Sequence, residues 1–453
     1  VPGGKFAIVD EKGNNVDYTI IQSRDLTDYV LSQIITIDPS RKFYIPDHVF
    51  EVTMAIKAND VPALGYVQYS VDTEKDSHKE MEEKSVLENE YYTIEVEKDG
   101  SLTIVDKENN VTYKNQGILV ENGDDGDSFN YSPPRKDLEV FSNESESSVK
   151  ISGSDVYSQA VIHFDMVVPE NLEERAEGKV SVTMPVDMTV ALRKGSKVID
   201  FNVKVDNKGL SHRLCVVFDS QIVSAFNYAD QQFGLIKRPN YYEKEMKLYM
   251  ESMNNRSEKK TGIQELANWA NDQSTWQEPP ISIEPTQSYI SLTDGKTGVA
   301  VIPQGVREYE VLDDSKIRLT LFRTYGFMGK ENLIYRPGRA SGERIIETPA
   351  AQLLKQMEFN FGFTTYAGDI NDADIDTLAK QYDTNMEVYT YAEFLNGRLI
   401  FSQREIEGKN DIVHSLFETE GNLVVSAIKK AEEDDGYIIR LYNGKDHRNL
   451  DDK

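Results

Sequence analysis

The chain has 453 residues, with 77 acidic against 50 basic side chains and a formal net charge of -27 at pH 7. A surface that negative repels phosphate backbones and anionic headgroups, so neither nucleic acid nor a membrane surface is an expected partner. Hydrophobic residues make up 39%, enough to give each unit a core, and a prior of about 150 residues per domain predicts about three units. No apolar run approaches the ~20 residues of a bilayer span, and no basic segment followed by an apolar stretch opens the chain, which predicts a soluble protein. Val1-Pro2-Gly3-Gly4 stands where an initiating Met would, so the chain reads as a fragment of a longer polypeptide. One cysteine, Cys215, leaves no intrachain disulfide or multi-cysteine metal cage and suggests a reducing compartment.

Period-two alternation runs along the chain and predicts an all-β protein. A small β-sandwich is expected over residues 1–78, followed by the mostly charged linker Asp72 to Lys84. Asp99-Gly100 between Tyr92 to Glu97 and Ser101 to Asp106 predicts a hairpin. The acidic run Glu121 to Asp127 resembles a calcium loop, but it lacks the bidentate Glu at the required spacing and reads as a solvated turn. Ser128-Phe129-Asn130-Tyr131-Ser132-Pro133-Pro134 sets two aromatics among hydrogen-bonding groups. That combination suits a pyranose, with its apolar C–H faces and polar hydroxyl rim, and equally suits a loop packed down by its own rings.

His163-Phe164-Asp165 puts two potential zinc ligands on one strand face, yet zinc needs at least three and no second histidine is near; a paired surface histidine is the reading. In Val180 to Leu192 the apolar side is Val180, Val182, Met184, Val186, Met188, Val190 and Leu192, and in Val198 to Asp206 it is Ile199, Phe201, Val203 and Val205. Cys215, inside Arg213 to Phe218, reads as an inert core thiol. The polar stretch Tyr241 to Pro280 reads as a long loop inside a large sandwich over 85–366. In Lys316 to Arg323 the alternation puts Arg323 on the inward side with Ile317, Leu319 and Leu321, where a guanidinium needs a carboxylate or a cleft. A helix N-capped near Asp372 carries Ile375, Leu378, Ala379 and Tyr382, within a terminal β-rich domain over 367–453. Nucleophile elbows, phosphate-cradling glycine loops and fixed-period repeats are absent from the sequence, and 77 acidic residues give no way to choose a catalytic pair.

The strings Leu87-Glu88-Asn89-Glu90-Tyr91-Tyr92, Asp99-Gly100-Ser101-Leu102 and Gly126-Asp127-Ser128-Phe129-Asn130-Tyr131-Ser132-Pro133-Pro134 resemble the large β-domain of glycoside hydrolase family 38 α-mannosidases. The resemblance continues in order through Ser211-His212-Arg213-Leu214, Leu319-Thr320-Leu321-Phe322-Arg323, Thr348-Pro349-Ala350-Ala351-Gln352 and Arg440-Leu441-Tyr442-Asn443. It implies a galactose-mutarotase-like supersandwich flanked by two small β-sandwich domains. It also implies that this chain is the C-terminal, non-catalytic region of a retaining α-mannosidase. No catalytic residue and no metal ligand are expected here; the zinc belongs to an N-terminal catalytic domain. The resemblance implies that Asp127, Phe129, Tyr131 and Arg323 line the substrate cleft. The expected partners are an α-mannoside and the protein's own catalytic barrel and helical bundle, with a homo-oligomer left open. The form of the Gly126 to Pro134 string is similar to bacterial members, including mannosylglycerate hydrolases, and implies a cytoplasmic enzyme. The competing expectation is a carbohydrate-binding or adhesin sandwich without catalysis.

Overall fold

A computed structural model describes residues 4–33, 47–256, 278–336, 345–389, 413–417 and 423–443. Among the described residues strands dominate, and the four α-helices are short, the longest spanning 14 residues. Two large antiparallel sheets face one another. The ten-stranded sheet has at its centre Thr297–Gln304, Gln356–Ala367, Ile199–Asp206, Val182–Arg193 and Tyr157–Val168, neighbours in that order. The six-stranded sheet is built around Ile118–Gly123, His212–Asp219 and Lys316–Arg323. A four-stranded sheet over residues 87–116 adds Leu87, Tyr92, Ile94, Leu102 and Ile104 to the same core.

The alternation explains the layering, because residues two apart share a strand face. Met184, Val186, Met188, Val190 and Leu192 of one strand and Ile199, Phe201, Val203 and Val205 of the next are buried in one core with Leu214, Val216 and Phe218 of the opposing sheet. Phe201 stacks on Phe361 within its own sheet at 5.2 Å and meets Phe218 edge-on at 5.2 Å across the sandwich. Each such ring contributes roughly 1.5–3 kcal/mol by burial. The Asp99-Gly100 turn forms as the sequence predicts, with Gly100 at φ +80 and Asp99 Oδ1 accepting from the Ser101 amide.

Arg323 does not follow the alternation. A β-bulge separates Leu214, opposite Phe322, from Cys215, opposite Thr320, leaving Leu321 as the extra residue. Leu321 and Phe322 consequently both enter the core, and Arg323 is turned to the outer face of the six-stranded sheet. A bulge adds one residue to one strand and reverses the parity of everything beyond it. Part of the expected 241–280 loop is the helix Glu243–Arg256, while residues 257–277 lie outside the described residues. The later helix is Ile375–Asp383, with Asp374 rather than Asp372 at its N-cap position.

The expected divisions are bridged in several places. Glu82–Glu83, inside the predicted linker, pairs with the edge of the ten-stranded sheet. Gly65–Val67 pairs with Val413–Ser415, joining segments assigned to the two small terminal domains. Ile370, Ile375 and Ala379 pack on Val198, Ala300 and Ile302 of the ten-stranded sheet's outer face, so the large unit reaches past residue 366.

Candidate functional site

Three strand ends meet at one end of the six-stranded sheet, because Gly123 pairs with His212 and Arg213 pairs with Arg323. The loop after Gly123 and the segment after Arg323 therefore leave the sheet side by side. Their contact is a set of charge pairs. Arg323 clamps Asp124, with Nε on Oδ2 at 2.6 Å and Nη2 on Oδ1 at 3.2 Å; Lys330 pairs with Asp125, and Arg336 pairs with Asp127. Each carboxylate of the acidic run thus has a cation partner, and among the described residues no group of three or more His, Cys, Asp or Glu is arranged to hold a metal ion.

Arg323 also closes the loop itself. Its Nη2 donates to the carbonyls of Asp127 and Asn130, both at 2.9 Å. Gly126 makes this possible: a Cβ there would lie 2.0 Å from the Asn130 carbonyl oxygen and 2.9 Å from Arg323 Nη2. Asp127 is fully buried and accepts from the amides of Phe129, Asn130 and Lys330. Burial acts to raise its carboxyl, but Arg336 and these amides outweigh that and hold it below the ordinary carboxylate value. Asp124, also shut off from solvent, is moved the other way: burial pushes its carboxyl up, opposed by Arg323.

Tyr131 anchors the far side of the loop. It is 8% exposed, accepts from Asn122 Nδ2 at 3.1 Å, lies under the Arg213 guanidinium 4.0 Å from its ring centre, and meets Tyr335 edge-on. Phe129 is different. The residue is 60% exposed at the loop tip, and its neighbour Ser128 donates from Oγ to the carbonyl of Met328, itself exposed, at 2.7 Å. Of the four residues expected to line a cleft, the structure brings all four into one loop assembly. Only Phe129 presents its side chain largely to solvent, while Asp127, Tyr131 and most of Arg323 are consumed in building the loop.

Sequence reasoning missed Lys330 and Arg336, which supply two of the three cations. Their signal was a basic residue at Arg323, Lys330 and Arg336, six or seven positions apart, matching three aspartates some two hundred residues earlier, and alternation along a strand carries no such information. It also missed the buried cluster beneath the loop. Glu121 accepts from Arg175, in the last turn of the helix Leu172–Glu177, and its Oε1 lies 2.9 Å from His212 Nδ1. His163, the candidate zinc residue, sits on the open face of the ten-stranded sheet with Nδ1 2.7 Å from Asp187 and Nε2 3.5 Å from Asp165. Its ring nitrogens are occupied by carboxylates rather than converging with other donors on one point, and zinc does not fit the residues present.

Residues 87–327, more than half the chain, match the sequence family described as the glycosyl hydrolases family 38 C-terminal domain, and the chain belongs to that family. It is 24% identical over 381 residues to a Halalkalibacterium halodurans protein named "Putative mannosylglycerate hydrolase", covering 80% of this chain and 36% of that one. Its fold is similar to that of an alpha-mannosidase from Enterococcus faecalis V583, with a TM-score of 0.71 at 20% identity over 97% of this chain and 46% of that one. Another solved structure, of a protein in the glycosyl hydrolase family 38 from Enterococcus faecalis, gives a TM-score of 0.71 at 18% identity, over 97% of this chain and 47% of that one. The chain spans about a third to a half of the length of these relatives. No helix among the described residues is long and apolar enough to cross a membrane.

Proposed function

We propose that this chain is the non-catalytic C-terminal part of a zinc-dependent, retaining α-mannosidase, and that it completes the substrate cleft with the loop at residues 124–134. Phe129 supplies the sugar contact, stacking against the C–H face of a mannoside. Asp127, Tyr131 and Arg323 act as positioning residues that fix the loop. The observation carrying this reading is the exposure of Phe129, 60% at the tip of a loop whose three aspartates are ion-paired and whose Asp124, Asp127 and Tyr131 are buried. An ordered loop that leaves one large ring in water has forgone the burial of that ring, and a binding partner would recover it. The nucleophile, the acid/base residue and the zinc ligands belong to a catalytic domain outside this chain.

Two measurements test this. The 453-residue chain should fold, leave aryl α-mannosides uncleaved and retain no stoichiometric zinc after dialysis. In the full-length enzyme, Phe129→Ala should lower kcat/KM by roughly ten- to a hundredfold, or about 1.4–2.7 kcal/mol of transition-state stabilisation. Zinc-dependent turnover by the chain alone would overturn the division of labour, and unchanged kinetics in the variant would overturn the role of Phe129.

A further inference from the structure

The outer face of the ten-stranded sheet is apolar where the helix Ile375–Asp383 lies on it. At the helix's C-terminal end the two surfaces border an open cavity of about 320 Å³, within the range of about 300–1,000 Å³ typical of small-molecule sites. Its floor includes Asn202 and Asn360, and Gln304, Gln381, Tyr382 and Asn385 contribute to its walls.

The amides are held in place by bonds that use only part of each. Asn202 Nδ2 donates to Glu358 Oε1 and to Asn360 Oδ1, both at 2.7 Å, and Gln304 Nε2 donates to the Tyr382 carbonyl at 2.8 Å. Oδ1 of Asn202, Nδ2 of Asn360 and Oε1 of Gln304 are left as oriented acceptors and donors without a protein partner among the described residues. Asp200 lines the same cavity. Its Oδ1 takes Arg193 Nη2 at 3.0 Å, and the Tyr382 hydroxyl lies close enough to the same carboxylate to act on it. This lone ion pair cancels its own charge, so the lining is close to neutral, and Tyr157 and Tyr382 add ring surface. Fixed amides with both donors and acceptors, beside aromatic carbon and without net charge, match a ligand that has vicinal hydroxyls and apolar C–H faces.

We infer that this cavity is a second binding site, for a neutral sugar unit. It lies on the opposite side of the sandwich from the Phe129 loop. Ile199, Phe201 and Val203 point into the core and Asp200 and Asn202 away from it, whereas Arg323 points away from the core on the facing sheet. Two sheets stacked about 10 Å apart, each with its own outer side chains, separate the two places. The assignment therefore stands independently of the proposed cleft.

The test uses the 453-residue chain, with methyl α-D-mannopyranoside and methyl β-D-glucopyranoside as neutral probes and glycerate as an anionic one. Binding is read by saturation-transfer NMR and calorimetry up to about 20 mM, enough to follow a millimolar site and its weakened variants. At least one glycoside should bind saturably, and glycerate should not. Asn360→Ala and Gln304→Ala should each weaken that binding roughly five- to tenfold, the weight of one or two neutral hydrogen bonds. Both positions line the open cavity, so at least one variant should keep the wild-type melting temperature and report on binding alone. Absence of saturable binding, a preference for glycerate, or unchanged affinity in a folded variant would overturn the assignment. Sensitivity to Phe129→Ala in place of these two would put the sugar at the loop and overturn it as well.

Discussion

Replacing Arg323 with Ala removes four hydrogen bonds at once: two to Asp124 and one each to the carbonyls of Asp127 and Asn130. Asp124 has no solvent-exposed side-chain surface, whereas the Arg323 side chain is 18% exposed. The asymmetry sets the magnitudes. Without Arg323, the Asp124 carboxylate stays buried without its ion-pair partner, a situation that costs about 3–5 kcal/mol. Asp124→Asn should cost less, about 1–3 kcal/mol, because the partly exposed guanidinium regains water and the Gly126 amide keeps an acceptor in the Asn oxygen. In the double variant neither charge is left stranded, so its loss should fall short of the sum by about 2 kcal/mol. Urea denaturation followed by circular dichroism gives the three stabilities, and amide exchange at Phe129 and Asn130, both bonded to Asp127 Oδ1, reports whether the loop opens first. A cost below about 1 kcal/mol for Arg323→Ala, or additivity within about 0.5 kcal/mol, would refute the clamp.

Gly126→Ala should destabilise the loop by about 2–4 kcal/mol, because the new Cβ would lie 2.0 Å from a backbone oxygen that cannot swing aside; a wild-type urea midpoint and wild-type protease resistance would contradict this. Asp200, whose carboxyl burial pushes up to about 6 against the opposing pull of Arg193, gives a pH prediction. A raised folded-state value means that the group's stabilising contribution is complete below its ordinary value near 3.8 and is lost as pH rises through about 6. Relative to Asp200→Asn, the wild type should therefore lose about 2–3 kcal/mol between pH 4 and pH 7, and a difference that stays flat with pH would exclude the buried ionisation.

Alternation alone was enough to read the strands, the faces they bury and the all-β class. Ile199, Phe201, Val203 and Val205 fall into the core because a strand's side chains point to opposite faces in turn, and that rule is local. Local chemistry also marked the Asp99-Gly100 turn and the unusual loop at Gly126 to Pro134. The destination of Arg323 was beyond such reading, because one extra residue at Leu321 reverses the strand's parity and nothing in Lys316 to Arg323 announces a bulge. The partners of Asp124, Asp125 and Asp127 lie 199 to 209 positions away, and 77 acidic and 50 basic residues allow thousands of pairings. Sheet order, by setting the ends of Ile118–Gly123, His212–Asp219 and Lys316–Arg323 side by side, selects the ones that form. Tyr131 and Phe129 show the same division at the scale of two residues: both are aromatic and both sit in one loop, yet one is buried under Arg213 and the other stands in solvent. Which ring is free to meet a ligand depends on what packs over each, and that is a property of the assembled sheets.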